Sequence, residues 1–156
     1  MYYCRILVYT IRQIHSDDLF QVIDLASKVL SEKYTPQLFL YFYESFPWGF
    51  WVAEKNKKII GFIVGIRTSQ RKGRVLMLGV QENHRKQGVG SKLLKQFLRE
   101  VIKRKIIQIE LEVQASNQNA ILFYKHHSFS IIDHLDQFYQ NGDDALIMRW
   151  GEPSQY

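Results

Sequence analysis

Two stretches of this sequence combine residue types and spacings suited to chemistry. The first reads Val80-Gln81-Glu82-Asn83-His84-Arg85-Lys86-Gln87-Gly88-Val89-Gly90-Ser91. Glycines let a backbone approach an anion closely, and Arg85 and Lys86 add positive charge. A helix that starts here would aim its unpaired N–H groups and positive dipole end at a phosphate. The plain alternative is a glycine-containing turn with no ligand. The pattern is not a P-loop, because no Gly-Lys-Ser/Thr stands at the required offset. It is not the dinucleotide fingerprint, because only two of three glycines are present. The second stretch holds Glu110, Glu112 and Tyr124. A carboxylate accepts protons, and a phenol of pKa about 10 donates one late. The residues alone do not choose between Glu110 and Glu112, and Tyr124 beside Phe123 also reads as a core aromatic.

The elements that must position these residues follow from periodicity. Val8 to Ile14 reads as a strand. Ser16 reads as an N-cap, with Asp17 and Asp18 in the first turn of a helix that carries Leu19, Val22, Ile23, Ala26 and Leu30 at helical spacing. Thr35-Pro36 opens a second, aromatic-rich helix that Pro47 and Gly49 end. Phe50–Glu54 and Lys58–Ile66 form a hairpin, and Arg74–Val80 follows as a third strand after a turn at Ser69–Gly73. From Gly88 the period changes to that of an amphipathic helix through Ile102. Ile106–Val113 alternates, with Gln108, Glu110 and Glu112 on the polar side. Asn117 caps a last helix to His126. Strands at Phe129–Leu135 and Ala145–Trp150 close the chain around a loop with Tyr139 and an Asn141-Gly142 turn. The order β-α-α-β-β-β-α-β-α-β-β describes an α/β (α+β) chain with a mixed sheet of about seven strands and about four helices. The strand–helix–strand unit around Arg74–Val113 requires one parallel pair. With no linker or repeat, residues 1–156 read as a single domain.

In that context Arg85-x-x-Gly88-x-Gly90 resembles the acetyl-CoA pyrophosphate motif of the GNAT acetyltransferases. Leu111-Glu112-Val113-x-x-Ser116-Asn117-x-x-Ala120-x-x-x-Tyr124 resembles the signature of the N-alpha acetyltransferases within that family, which include the bacterial ribosomal-protein enzyme RimI and archaeal relatives. The resemblance covers essentially the whole chain and implies the GNAT fold. It implies acetyl-CoA as co-substrate, held by Arg85, Lys86, Gln87, Gly88, Val89, Gly90 and Ser91 at the pyrophosphate. Leu78, Gly79, Val80, Asn117 and Tyr124 would lie along the pantetheine arm. It also assigns Glu112 as general base and Tyr124 as general acid for direct attack by an amine, a reaction that needs no metal. Gly79 inside a strand suggests a bulge or a close approach. One departure stands out: Ser128 occupies the place before Phe129 where the family usually has glycine. That bears on a turn and removes no catalytic group.

Glu32 and Tyr34, with Tyr139, are the candidate acceptor-binding residues, since the first helical pair and the last hairpin wall the acceptor groove in similar enzymes. The acceptor the resemblance implies is a protein or peptide N-terminus, ribosomal proteins among them. Lysine side chains and small amines are the competing acceptors. A basic nucleic-acid-binding module rests only on the net charge of +6 and the lysines of one helix, and the cofactor motif counts against it. An acetyl-CoA sensor without turnover is disfavoured by the presence of Glu112 and Tyr124. The single cysteine, Cys4, cannot form an internal disulfide. No apolar run approaches the roughly 20 residues that span a bilayer, and no signal-peptide pattern is present, so a cytoplasmic location without membrane partners is expected.

Overall fold

The structure, a computed structural model, describes residues 8–152; Cys4 lies outside them. The elements run β1 (Thr10–Gln13), α1 (Leu19–Val29), α2 (Pro36–Ser45), β2 (Phe50–Lys55), β3 (Lys58–Ser69), β4 (Lys72–Val80), α3 (Val89–Lys103), β5 (Gln108–Gln114), α4 (Gln118–His126), β6 (Ser130–Leu135) and β7 (Ala145–Gly151). This is the order expected from the periodicity. The seven strands form a mixed sheet ordered β1-β2-β3-β4-β5-β7-β6. The β4–β5 pair is parallel, whereas β1–β2, β2–β3, β5–β7 and β6–β7 are antiparallel. Among the described residues no helix is long and apolar enough to cross a membrane.

The chain divides into two compact units. Among the described residues the first comprises 8–64 together with Met77–Leu98. Here Val22, Leu25 and Ala26 of α1, Phe39 and Phe42 of α2, and Leu93, Leu94 and Phe97 of α3 are buried. Each of these side chains other than Ala26 contributes about 1.5–3 kcal/mol through burial. Trp48 stacks on Phe97 with ring centroids 6.1 Å apart and planes 12° from parallel. Arg12 ties β1 to the start of the helical region through Asp18 at 2.6 Å and to β2 through Glu54 at 2.8 Å. The Arg12 hydrogen bond holds the Asp18 carboxyl below its ordinary pKa. Ser16 is not the cap of α1. Residues Ser16–Asp18 form a 3-10 turn, and the Asp18 carboxylate instead accepts the His15 N–H at 2.7 Å. Asp18 serves two partners there, which outweighs the local preference of Ser16.

Among the described residues the second unit comprises Gly65–Leu76 and 99–152. Ile109, Leu111 and Val113 of β5 and Met148 of β7 are buried, as the alternation requires. Gln108 departs from it. Its side chain is buried rather than on the polar side, and its Nε2 donates to the Glu152 carbonyl at 2.9 Å. The β3–β4 turn is also tighter than expected: β3 runs to Ser69 and β4 begins at Lys72.

Candidate active site

In the first unit, β4 leads through a 3-10 turn at Glu82–His84 into the glycine loop and α3. Lys86 and Gly88 both have positive φ, at 59° and 82°. Only glycine takes this conformation without steric cost, and that is why residue 88 is glycine. The first intrahelical bond runs from Lys92 N–H to Gly88 C=O at 3.0 Å. The amides of Val89, Gly90 and Ser91 therefore precede the first intrahelical donor of a 15-residue helix. A Cβ at residue 88 would have only the Tyr9 hydroxyl, 3.7 Å away, near it beyond its chain neighbours, so the loop is open at that position. Arg85 Nε donates to the Val80 carbonyl at 3.2 Å, which folds the arginine back on the end of β4. The Tyr9 hydroxyl donates to the Gln87 carbonyl at 3.2 Å, and Lys92 Nζ lies 5.0 Å from the Tyr9 ring centre. These features suit an anion as large as a diphosphate. Gly79 lies near the end of β4. A Cβ there would fall 2.8 Å from both Phe62 and Val29, so the close approach is of side chains packed against β4. Leu78 and Val80 are partly exposed on either side of it. An open cleft of about 840 Å³ in this unit is lined by α1, the start of β3 and Gln81–Asn83; of the expected site residues it contains only Arg85.

Glu32 and Tyr34 lie in the α1–α2 connection. Burial raises the Tyr34 phenol pKa, and the nearby Glu32 charge raises it further, so the two side chains are neighbours.

In the second unit, β5 presents Glu110 and Glu112 on its partly exposed side. Glu110 pairs with Arg149 of β7 at 2.6 Å, its partner in strand register. Glu112 pairs with Arg74 of β4. Arg74 stands opposite Glu110 in the parallel register and reaches diagonally to Glu112. Sequence reasoning missed Arg74, because nothing local marks a contact made across 38 positions. Asn117 caps α4 as expected, its Oδ1 accepting the Ala120 N–H at 3.1 Å. On α4, the Tyr124 ring packs edge-on against Phe123 and Phe129, with centroids 5.1 and 5.5 Å away. Desolvation pushes the Tyr124 phenol well above its ordinary pKa, and the neighbouring Tyr139 adds to the push. Tyr124 is therefore a neutral donor at any working pH, and Tyr139 of the β6–β7 loop is brought to it. Past α4, Ser128 holds φ 69° and the Phe129 N–H returns to the Tyr124 carbonyl at 3.0 Å. The glycine-type helix stop thus persists with serine in place.

Residues 9–129 match the acetyltransferase (GNAT) family. The N-alpha-acetyltransferase of Sulfurisphaera tokodaii is 29% identical over 154 residues, covering 90% of this chain and 91% of that protein. The structure of Ard1 from Thermoplasma volcanium is similar with a TM-score of 0.89 and 32% identity, covering 95% of this chain and 100% of that one. The ribosomal-protein-S18-alanine N-acetyltransferase of Escherichia coli shares the fold, with a TM-score of 0.80 and 22% identity, covering 95% of this chain and 96% of that one. A glycine loop that opens a helix after β4 and a match across most of the sequence lead to one assignment: the chain belongs to the acetyltransferase (GNAT) family, whose members transfer acetyl from acetyl-CoA to an amine.

Proposed function

We propose that this protein acetylates the α-amine of protein N-termini, with Glu112 as general base and Tyr124 as general acid. The observation that carries the reading is the grouping in one unit of Glu112 on β5 with Tyr124 and Tyr139, the last two close enough for their phenols to interact. The similarity to archaeal N-alpha-acetyltransferases over nine-tenths of the chain supports it. Bound acetyl-CoA supplies the acetyl group in an activated thioester. Arg85, Lys86, Gln87 and the amides of Gly88, Val89, Gly90 and Ser91 hold its diphosphate. The backbone of Leu78, Gly79 and Val80 holds the arm that carries the thioester. An α-ammonium must lose a proton before its nitrogen can attack, and Glu112 accepts it, directly or through a water. As the new C–N bond forms and the C–S bond breaks, Tyr124 gives its proton to the departing sulfur. Glu32 offers a negative charge to a positively charged N-terminus, and Tyr34 and Tyr139 offer flat rings to a peptide backbone. Nascent and ribosomal proteins are the acceptors this chemistry suits, in the cytoplasm.

Mass spectrometry of products from a peptide library with free N-termini and internal lysines tests the reading. Acetylation of the α-amine is the expected product. Modification confined to internal lysines, or to an added polyamine, would assign the protein to another acceptor class.

A further inference from the structure

The β6–β7 loop that carries Tyr139 is held by an unusual concentration of bonds to one residue, Asp144. Its Oδ1 accepts the Gln137 N–H at 2.9 Å. Its Oδ2 lies 2.8 Å from His134 Nε2, at the end of β6. Its carbonyl accepts the Ala115 N–H at 2.9 Å, in the turn between β5 and α4. That turn separates Glu112 from the Asn117 cap and Tyr124. Gln137 adopts φ 49°, a left-handed conformation unfavourable to a non-glycine residue, and its N–H is the one Asp144 holds. Within the loop, the Tyr139 N–H donates to the Asp143 carbonyl at 3.1 Å, adjacent to Asp144.

We propose that Asp144 is a positioning residue for the acceptor: it clasps the Tyr139 loop to the end of β6 and to the β5–α4 turn, and so sets where a peptide N-terminus meets Tyr124. This rests on the reading of Tyr139 as part of the acceptor site. The clasp responds to pH. The charged groups facing His134 are Asp144, Asp136 at 3.4 Å, and Asp133. The hydrogen bond His134 donates to Asp144 raises the His134 pKa above its ordinary value. The Gln137 N–H, followed by His134, lowers that of Asp144. A raised histidine contributes fully below its ordinary value and loses the contribution as pH rises through the raised one. A lowered carboxylate contributes above its ordinary value and loses the contribution as pH falls through the lowered one. The His134 contribution to the clasp is therefore fullest between the two and weakens on the alkaline side as His134 loses its proton.

The test combines steady-state kinetics with hydrogen exchange of Asp144→Ala, Asp144→Asn and His134→Gln. EDTA is present throughout, so that no divalent cation bridges His134, Asp136 and Asp144, whose ligand atoms lie within 4.8 Å of one another. Asp144→Ala should raise the peptide KM by about tenfold while the acetyl-CoA KM stays within about twofold. It should also speed exchange at the Gln137 amide by about fivefold or more. Asp144→Asn, which keeps an acceptor for Gln137, should fall between wild type and Asp144→Ala. The wild-type peptide KM should rise with pH as His134 deprotonates, and His134→Gln should remove that rise. If Asp144→Ala fails to fold, the His134→Gln pH profile decides alone. Unchanged exchange at Gln137, or equal effects on both KM values, overturns the clasp and leaves the functional reading standing. A wild-type protein that does not acetylate peptide α-amines overturns that reading, and the acceptor role of Asp144 with it, whatever the exchange data show.

Discussion

Replacing Tyr124 with phenylalanine should lower kcat by at least about tenfold, within the ~10²–10⁴-fold range of a lost general acid. The substitution is unusually clean. The ring contacts with Phe123 and Phe129 are edge-on packing that phenylalanine reproduces, so helix α4 and its Asn117 cap remain. Stability should change by less than about 1 kcal/mol, and the acetyl-CoA KM by less than about threefold. Because burial holds the phenol protonated far into the alkaline range, the ratio of wild-type to variant rates should be flat between about pH 6 and 9. Stopped assays across that range read both quantities. Unchanged turnover would remove Tyr124 from the mechanism and leave it as a core aromatic.

Glu112→Gln should lower kcat by about a hundredfold or more, as for a lost base, and should also destabilise the fold. The side chain keeps its size but loses its ion pair with Arg74, whose side chain is 28% exposed. For a pair this accessible the loss is about 1 kcal/mol. The Arg74 contact has a kinetic meaning as well. On the proposed mechanism Glu112 takes its proton where it pairs with Arg74, so the two residues should be coupled in turnover as well as in stability. A double-mutant cycle with Arg74→Met, followed by denaturant unfolding and by kcat, should show coupling of about 0.5–1 kcal/mol between the two residues. Additive effects would mean that the ion pair is incidental. An unaltered kcat and pH–rate profile in Glu112→Gln would place the base elsewhere, with water as the simplest alternative.

What was legible in the sequence was local. The switch from alternating to helical period at Gly88 located α3, the Asn117 cap located α4, and Ile109, Leu111 and Val113 located β5. The glycine at 88 could be read because its backbone angle demands that residue type. What was hidden depends on partners far along the chain. Ser16 is a good cap by preference, yet Asp18 is drawn toward Arg12 and His15 and changes how the helical region starts. Gln108 fits an exposed strand position, yet it is buried with its amide bonded to Glu152, 44 residues away. At the site, Glu112 and Tyr124 were named through family likeness, since Glu110 has the same residue type on the same strand face. Each glutamate has its own arginine, Arg149 or Arg74, and neither contact is visible from spacing. Asp144 was concealed for the same reason: its three partners, Ala115, His134 and Gln137, are scattered through the second unit.

The grip of the loop on the diphosphate is tested most directly by calorimetric titration of coenzyme A into the wild type and into Gly88→Val. Residue 88 sits at φ 82°, which costs a β-branched side chain about 1–2 kcal/mol and turns the following amides away from their common target. The expected result is measurable binding by the wild type and affinity at least about tenfold weaker in the variant, with both proteins folded. Equal affinities in the two, or no binding by the folded wild type, would contradict it.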